Sequence, residues 1–178
     1  IMLDEKQYTD GLDITSAQLY DAWWKHKLLP RTAAINPEEY QSYFSSFLEQ
    51  GYDVIHISLG SGISSSHANA QIAANTLKST GNVFVIDSCS LSTGFGLLVC
   101  EAGERIQSGM PAKQIVEEVS ALTQDTRASF ILDTLEFMRA GGRCSSIAQI
   151  GAALMNLKPT IIVKHDRQGS MIVGKQYM

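Results

Sequence analysis

Ser61, Ser64, Ser65 and Ser66 stand within six residues of one another, interleaved with Gly60 and Gly62 and followed by His67. Four hydroxyls and two glycines at this spacing make a loop that can present several hydrogen-bond donors to one anionic group. The residues around them say how the loop is held. Tyr52-Asp53-Val54-Ile55-His56-Ile57-Ser58-Leu59 is a short β-branched apolar run, and Ala68-Asn69-Ala70 opens an alanine-rich stretch with helical spacing. The order is therefore strand, tight turn, helix. The first amides of such a helix lack intrahelical partners and lie at the positive end of its dipole, so anionic oxygens are stabilised there.

Several chemistries use a turn of this kind. A P-loop needs GxxxxGK[ST], and the nearest downstream lysine, Lys78, is more than two helical turns beyond the loop, which excludes it. A nucleophile elbow needs GxSxG, whereas Ser61 sits in Leu59-Gly60-Ser61-Gly62-Ile63, so the spacing is wrong. A Ser hydrolase would also need a histidine and an acid near Ser61. The dinucleotide fingerprint GxGxxG fits better: Gly60 and Gly62 take its first two positions, and Asp87 ends the next strand, where a ribose-binding acid would stand. Its third glycine is Ser65. A nucleotide-dependent enzyme using Gly60, Gly62 and Asp87 thus remains an alternative, as does a turn that only connects a strand to a helix and caps it.

The chain has 178 residues, 44% of them apolar, enough for one domain or two small ones with a real core. Its net charge of −4 and lack of a basic run argue against nucleic acid as the main partner. No apolar run approaches the ~20 residues of a membrane span, and the N-terminus lacks the order of a signal peptide, so no stable membrane insertion and a cytoplasmic location are expected. Cys89, Cys100 and Cys144 are widely spaced without CxxC, which points to buried or idle thiols. The chain opens within strand-like sequence, which suggests that its natural start lies upstream. No metal site or cofactor is expected.

In order along the chain, Thr15 with Gln18 forms a capping box for a helix carrying Leu19, Tyr20, Trp23 and Trp24, aromatics expected in a core. Asn36-Pro37-Glu38-Glu39 forms a second, and Tyr40, Phe44, Phe47 and Leu48 follow at core-facing spacing. The helix after the serine loop should run toward Gly81, before a buried strand at Val83-Phe84-Val85-Ile86. Helices over Gly94–Ser108 and from Met110-Pro111 continue the alternation, which predicts a largely parallel sheet with helices on both faces. Ligands in such sheets sit off the carboxyl ends of the strands, where Ser61 and Asp87 both fall. From about Thr126 the pattern changes to a short strand at Ser129–Asp133, a helical turn at Leu135–Arg139, a break at Gly141-Gly142-Arg143, a helix over Ile147–Leu154, and a hairpin of Thr160–Val163 with Ser170–Val173. The expected organisation is an α/β fold: residues 1–125 form an N-terminal domain with the serine loop, and residues 126–178 part of a smaller α/β domain with antiparallel strands. His56 is expected to be a satisfied core or surface histidine, and His67 either solvated or a ligand contact.

Five segments together resemble the DegV family of bacterial fatty-acid-binding proteins. Tyr8-Thr9-Asp10-Gly11-Leu12-Asp13-Ile14 is similar to YxDGxDI, Ile57 to Ser66 to the SSGLSGT loop, and Val85-Ile86-Asp87-Ser88 to the IDS strand end. Asp133-Thr134-Leu135-Glu136-Phe137 with Gly141-Gly142-Arg143 resembles DTLEYLxxGGR, and Met155-Asn156-Leu157-Lys158-Pro159 resembles LNIKP. The resemblance implies a two-domain protein that encloses a long-chain fatty acid and presents it to an ATP-dependent fatty acid kinase, without doing chemistry itself. It implies Ser61 and Thr32 as carboxylate donors, with Gly62 and Ser64 in the same loop. Arg143, in the Gly-Gly-Arg turn, is expected either to make a local hydrogen bond or to contact the head group or partner. Ile63 and Phe95, apolar and beside polar turns, are candidate tunnel residues. Departures from the family pattern are Gly60 for the first loop serine, Ser65 and Ser66 for its Gly and Thr, and Ala33 after Thr32. The family's N-terminal DSTxDL strand is not in the chain, which also ends at Met178, before the family's usual C-terminus. Physically, amides and hydroxyls hold a carboxylate with ~1.5–3 kcal/mol per bond. The alkyl tail supplies more, at about 0.8 kcal/mol per buried methylene.

Overall fold

The computed structural model describes residues 1–142 and 158–177, with the side chains of 175–177 left aside. Two compact units divide the chain, Ile1–Ala34 and Ile35–Met178.

In the first unit, β1 (Met2–Leu3) pairs antiparallel with β2 (Lys6–Gln7), and α1 spans Ser16–His26. The Thr15 side chain accepts from the Gln18 amide while the Gln18 side chain accepts from the Thr15 amide, so the capping box forms as expected. Lys27 ends the helix in the left-handed conformation. The aromatic expectation fails here: Tyr20 is 66% and Trp24 65% exposed, and Trp23 only half-buried. An eleven-residue helix presents one face to the interior, and Ala22 occupies it. The indoles of Trp23 and Trp24 instead lie under the Lys27 ammonium, at 5.3 and 5.4 Å.

In the second unit, α2 (Pro37–Leu48) is capped by Asn36 with Glu39, and Pro37 takes the first helical position, all as expected. Next come β3 (Val54–Ser58), α3 (Ser66–Thr76) and β4 (Val83–Asp87); α3 stops at Leu77, short of Gly81. β3 and β4 run parallel in the register Val54↔Val83 through Ser58↔Asp87. Side-chain alternation buries both faces of this pair. Val54, Val83 and Val85 pack with Tyr40, Phe44, Ala70, Ala73 and Leu77 of the α2–α3 side, whereas Ile55, Ile57 and Ile86 pack with Leu98, Ala102, Ile115 and Val119. The latter belong to α4 (Ser92–Gln107) and α5 (Ala112–Leu122). Phe47, expected in the core, is 36% exposed and meets Tyr43 edge-on at 5.2 Å.

β5 (Ala128–Ile131), β6 (Lys158–Lys164) and β7 (Ser170–Tyr177) form an antiparallel sheet in the order β5-β6-β7. α6 (Glu136–Gly141) lies between β5 and β6 in sequence and ends at Gly142 in the left-handed conformation. Thus the antiparallel component and the Gly141-Gly142 break are both present. The helix expected over Ile147–Leu154 lies outside the described residues. A single helical turn, His165–Arg167, joins β6 to β7, followed by Gln168 and Gly169 at positive φ.

Candidate functional site at the ends of the parallel strands

Because β3 and β4 pair with Ser58 opposite Asp87, the loops leaving their carboxyl ends are neighbours. The Gly60 amide donates to the Ser90 carbonyl at 2.8 Å. From β4, Asp87 reaches the serine loop: its Oδ2 accepts from the Ser61 hydroxyl at 2.5 Å and its Oδ1 from the Ser61 amide at 3.1 Å. Oδ1 also accepts from the Cys89 amide at 2.9 Å. Asp87 therefore clamps the loop onto the strand end through charge-assisted bonds, the stronger class of hydrogen bond. Beside it, burial and then the Asp87 charge push the Cys89 thiol up from its ordinary range, which leaves it a poor nucleophile.

The glycines have a packing reason. A Cβ on Gly60 would stand 2.5 Å from the Gln168 carbonyl oxygen and 3.0 Å from Gly169 Cα; one on Gly62 would stand 2.6 Å from Ser170 Oγ and 2.8 Å from the Arg167 carbonyl oxygen. The Gly62 amide donates to the Gln168 carbonyl at 2.8 Å. The β6–β7 turn is thus laid directly on the serine loop, and only glycine admits it. This explains the GxG spacing without a nucleotide. The amides of Gly60 and Gly62 are engaged by chain carbonyls, and Asp87 by Ser61 and Cys89, so the groups a pyrophosphate and a ribose would need are occupied.

On the helix side, Ser64 Oγ accepts from the Ser66 amide at 3.1 Å and lies 2.8 Å from Ser66 Oγ. Ser65, at the N-cap of α3, makes no capping bond with its side chain. His67 Nδ1 is 3.0 Å from Ser58 Oγ, which also donates to the Ile86 carbonyl at 3.2 Å. Ser58 is 2% exposed, so this Ser–His pair fixes the strand end and does not offer a nucleophile. Ser61 has an acid partner, but its hydroxyl is not bonded to a histidine, contrary to what a hydrolase requires. His56 departs from expectation: its ring lies against Tyr40 and Phe44, 5.1 and 5.5 Å away, and its buried Nε2 has no hydrogen-bond partner among the described residues. Burial, and secondarily His67, lowers its pKa.

The expected site residues divide as follows. Ser61, Gly62, Ile63 and Ser64 occur together on one loop. Ile63 packs onto the cluster of Ile161, Val163 and Met171, among Leu91, Phe130, Leu135 and Val173. Phe95 is half-buried on α4, and Thr32 is an exposed residue of the first unit. Arg143 lies outside the described residues. An open apolar recess is lined by Leu132, Asp133, Thr134, Phe137 and Met138, of which Leu132 and Met138 pack against the same cluster as Ile63. Lys158 Nζ sits 2.6 Å from Asp133 Oδ1, joining two of the motif segments and holding the Asp133 carboxyl below its ordinary range through that hydrogen bond. What the sequence reading missed is the Gln168-Gly169 buttress; its signal was a GxG pair with no lysine to serve a phosphate.

Comparison with known proteins agrees with the motif segments. A family model described as uncharacterised protein, DegV family, matches residues 1–173. A DegV domain-containing protein of Deinococcus radiodurans is 27% identical over 94% of this chain, which spans 59% of that relative's length. Among solved structures, one described as showing fatty acid binding of a DegV family protein from Thermus thermophilus superposes with a TM-score of 0.83 at 25% identity, covering 98% of this chain and 60% of that one. A stearic acid-binding protein from Eubacterium ventriosum also gives 0.83, at 29% identity, covering 97% of this chain and 59% of the other. Matched along nearly its whole length in sequence and in fold, the chain belongs to the DegV family.

Proposed function

We propose that this protein binds one long-chain fatty acid, with the carboxyl end at the Ser61–Ser66 loop and the alkyl chain among apolar side chains that include Ile63. The observation that carries the reading is the superposition on two fatty-acid-binding relatives together with a serine loop at the strand ends. The physics supports it. A helix N-terminus with serine hydroxyls suits a carboxyl group without a fixed cation. Burial of a long alkyl chain supplies a gross gain on the order of ten kcal/mol, against the cost of association. In the same reading the protein works in the cytoplasm as a carrier with no catalysis or cofactor of its own, and a partner kinase uses ATP to phosphorylate the bound acid. Among the described residues no helix is long and apolar enough to cross a membrane.

Native mass spectrometry of the purified protein, followed by solvent extraction, tests this. A single co-purified C16 to C18 fatty acid per chain is expected. A protein that neither carries nor takes up such an acid, yet binds adenine or nicotinamide nucleotides saturably, would replace the carrier with the nucleotide alternative.

A further inference from the structure

Asp87 brings a formal negative charge to the place where the proposed ligand puts its carboxyl. Its Oδ2 is 2.5 Å from Ser61 Oγ and can only accept in its ionised form, so the hydroxyl hydrogen of Ser61 lies between the two oxygens and points away from the loop mouth. The Ser61 amide is committed to the same carboxylate, and the amides of Gly60, Gly62 and Ile63 to the carbonyls of Ser90, Gln168 and Gly60. What Ser61 has left to offer is a pair of lone pairs, made more basic by the charge behind them.

We infer that Asp87 is a specificity-determining residue of this loop: acting through Ser61, it selects a head group that brings its own proton, a carboxylic acid or an alcohol, over an ionised carboxylate. The inference rests on the fatty-acid reading above and adds which protonation state of the ligand the loop accepts. A hydroxyl between two carboxylates can donate to only one of them. The like charges, one hydroxyl apart, oppose each other in a half-buried setting, so either the entering acid keeps its proton or Asp87 gives up the bond. Asn in place of Asp87 removes the conflict, because its amide can donate to Ser61 Oγ and free that hydroxyl to donate outward.

The test measures the affinities of the delipidated protein for hexadecanoic acid and hexadecan-1-ol at pH 8, where the free acid is ionised, in the wild type, Asp87→Asn and Ser61→Ala. The expected result is an acid-to-alcohol affinity ratio that rises tenfold or more in Asp87→Asn. In Ser61→Ala, which removes the acceptor that both protonated head groups use while leaving the Asp87 charge in place, the affinities for the alcohol and the acid fall together several-fold, which keeps the question answerable should the Asn variant fold poorly. A ratio unchanged in Asp87→Asn, or affinities undiminished in Ser61→Ala, with both lipids bound by the wild type, overturns this inference alone. Failure of the wild type to bind either lipid overturns the fatty-acid reading and the inference with it.

Discussion

At Gly62 the candidate site is held by what a side chain would displace. Two of the three atoms nearest a Cβ there are backbone oxygens of Arg167 and Gln168, which cannot rotate aside as a side chain can. Gly62→Ala should therefore destabilise the protein by about 1–3 kcal/mol through overpacking, read as a lower urea midpoint, and should loosen any bound lipid at the same time. A midpoint equal to wild type would mean that the β6–β7 turn does not brace the loop. Burial of His56 makes stability depend on pH. The unfolded chain takes up a proton there near its ordinary value of about 6.5, whereas burial holds the folded ring neutral to lower pH. The unfolded state then binds more protons, so stability is whole above that value and is lost as pH falls below it. The drop in urea midpoint between pH 7.5 and 5.5 should be smaller in His56→Leu than in wild type. An identical drop in both would assign the acid sensitivity to other groups. Neither His56's orphaned nitrogen nor Gly62's neighbours could be read from local pattern, because Tyr40, Phe44, Arg167 and Gln168 are distant in sequence.

Helix starts and the strand pairing are the elements that put these residues where they are. α2 supplies Tyr40 and Phe44 to the α2–α3 side of the parallel pair, and its start is set by Asn36, whose side chain accepts from the Glu39 amide at 2.8 Å. Asn36→Ala should cost about 1 kcal/mol in chemical unfolding while the fold persists; no measurable cost would mean that packing alone specifies the helix start. This box, like that of Thr15 with Gln18, was legible because capping is a matter of residues three apart in the chain. The burial of α1 was not. Tyr20 and Trp24 are apolar by type, yet what covers a helix face is decided by which other elements exist to meet it.

For the whole molecule, the proposed ligand should behave as part of the core. A lipid that binds only the folded state stabilises it by mass action, about 2.7 kcal/mol at a hundredfold excess over Kd. Solvent delipidation should therefore lower Tm, and adding hexadecanoic acid back should restore it in a concentration-dependent way. A Tm indifferent to lipid removal and return would contradict burial of the alkyl chain in this protein.

The amino-acid sequence alone determined both capping boxes, the strand–loop–helix order around Ser61, the parallel character of β3 and β4, the antiparallel hairpin and the family, since each rests on short-range spacing or on motifs read in order. Only the tertiary structure decided that Gly60 and Gly62 make room for the β6–β7 turn, that Asp87 clamps Ser61, and that Ser58 bonds His67. The reason is physical. Capping and side-chain alternation are set by neighbours within a few residues, whereas the partner of a hydroxyl, an amide or an open glycine face is chosen by strand register and by the path of chain a hundred residues away, here Gln168 over Gly60.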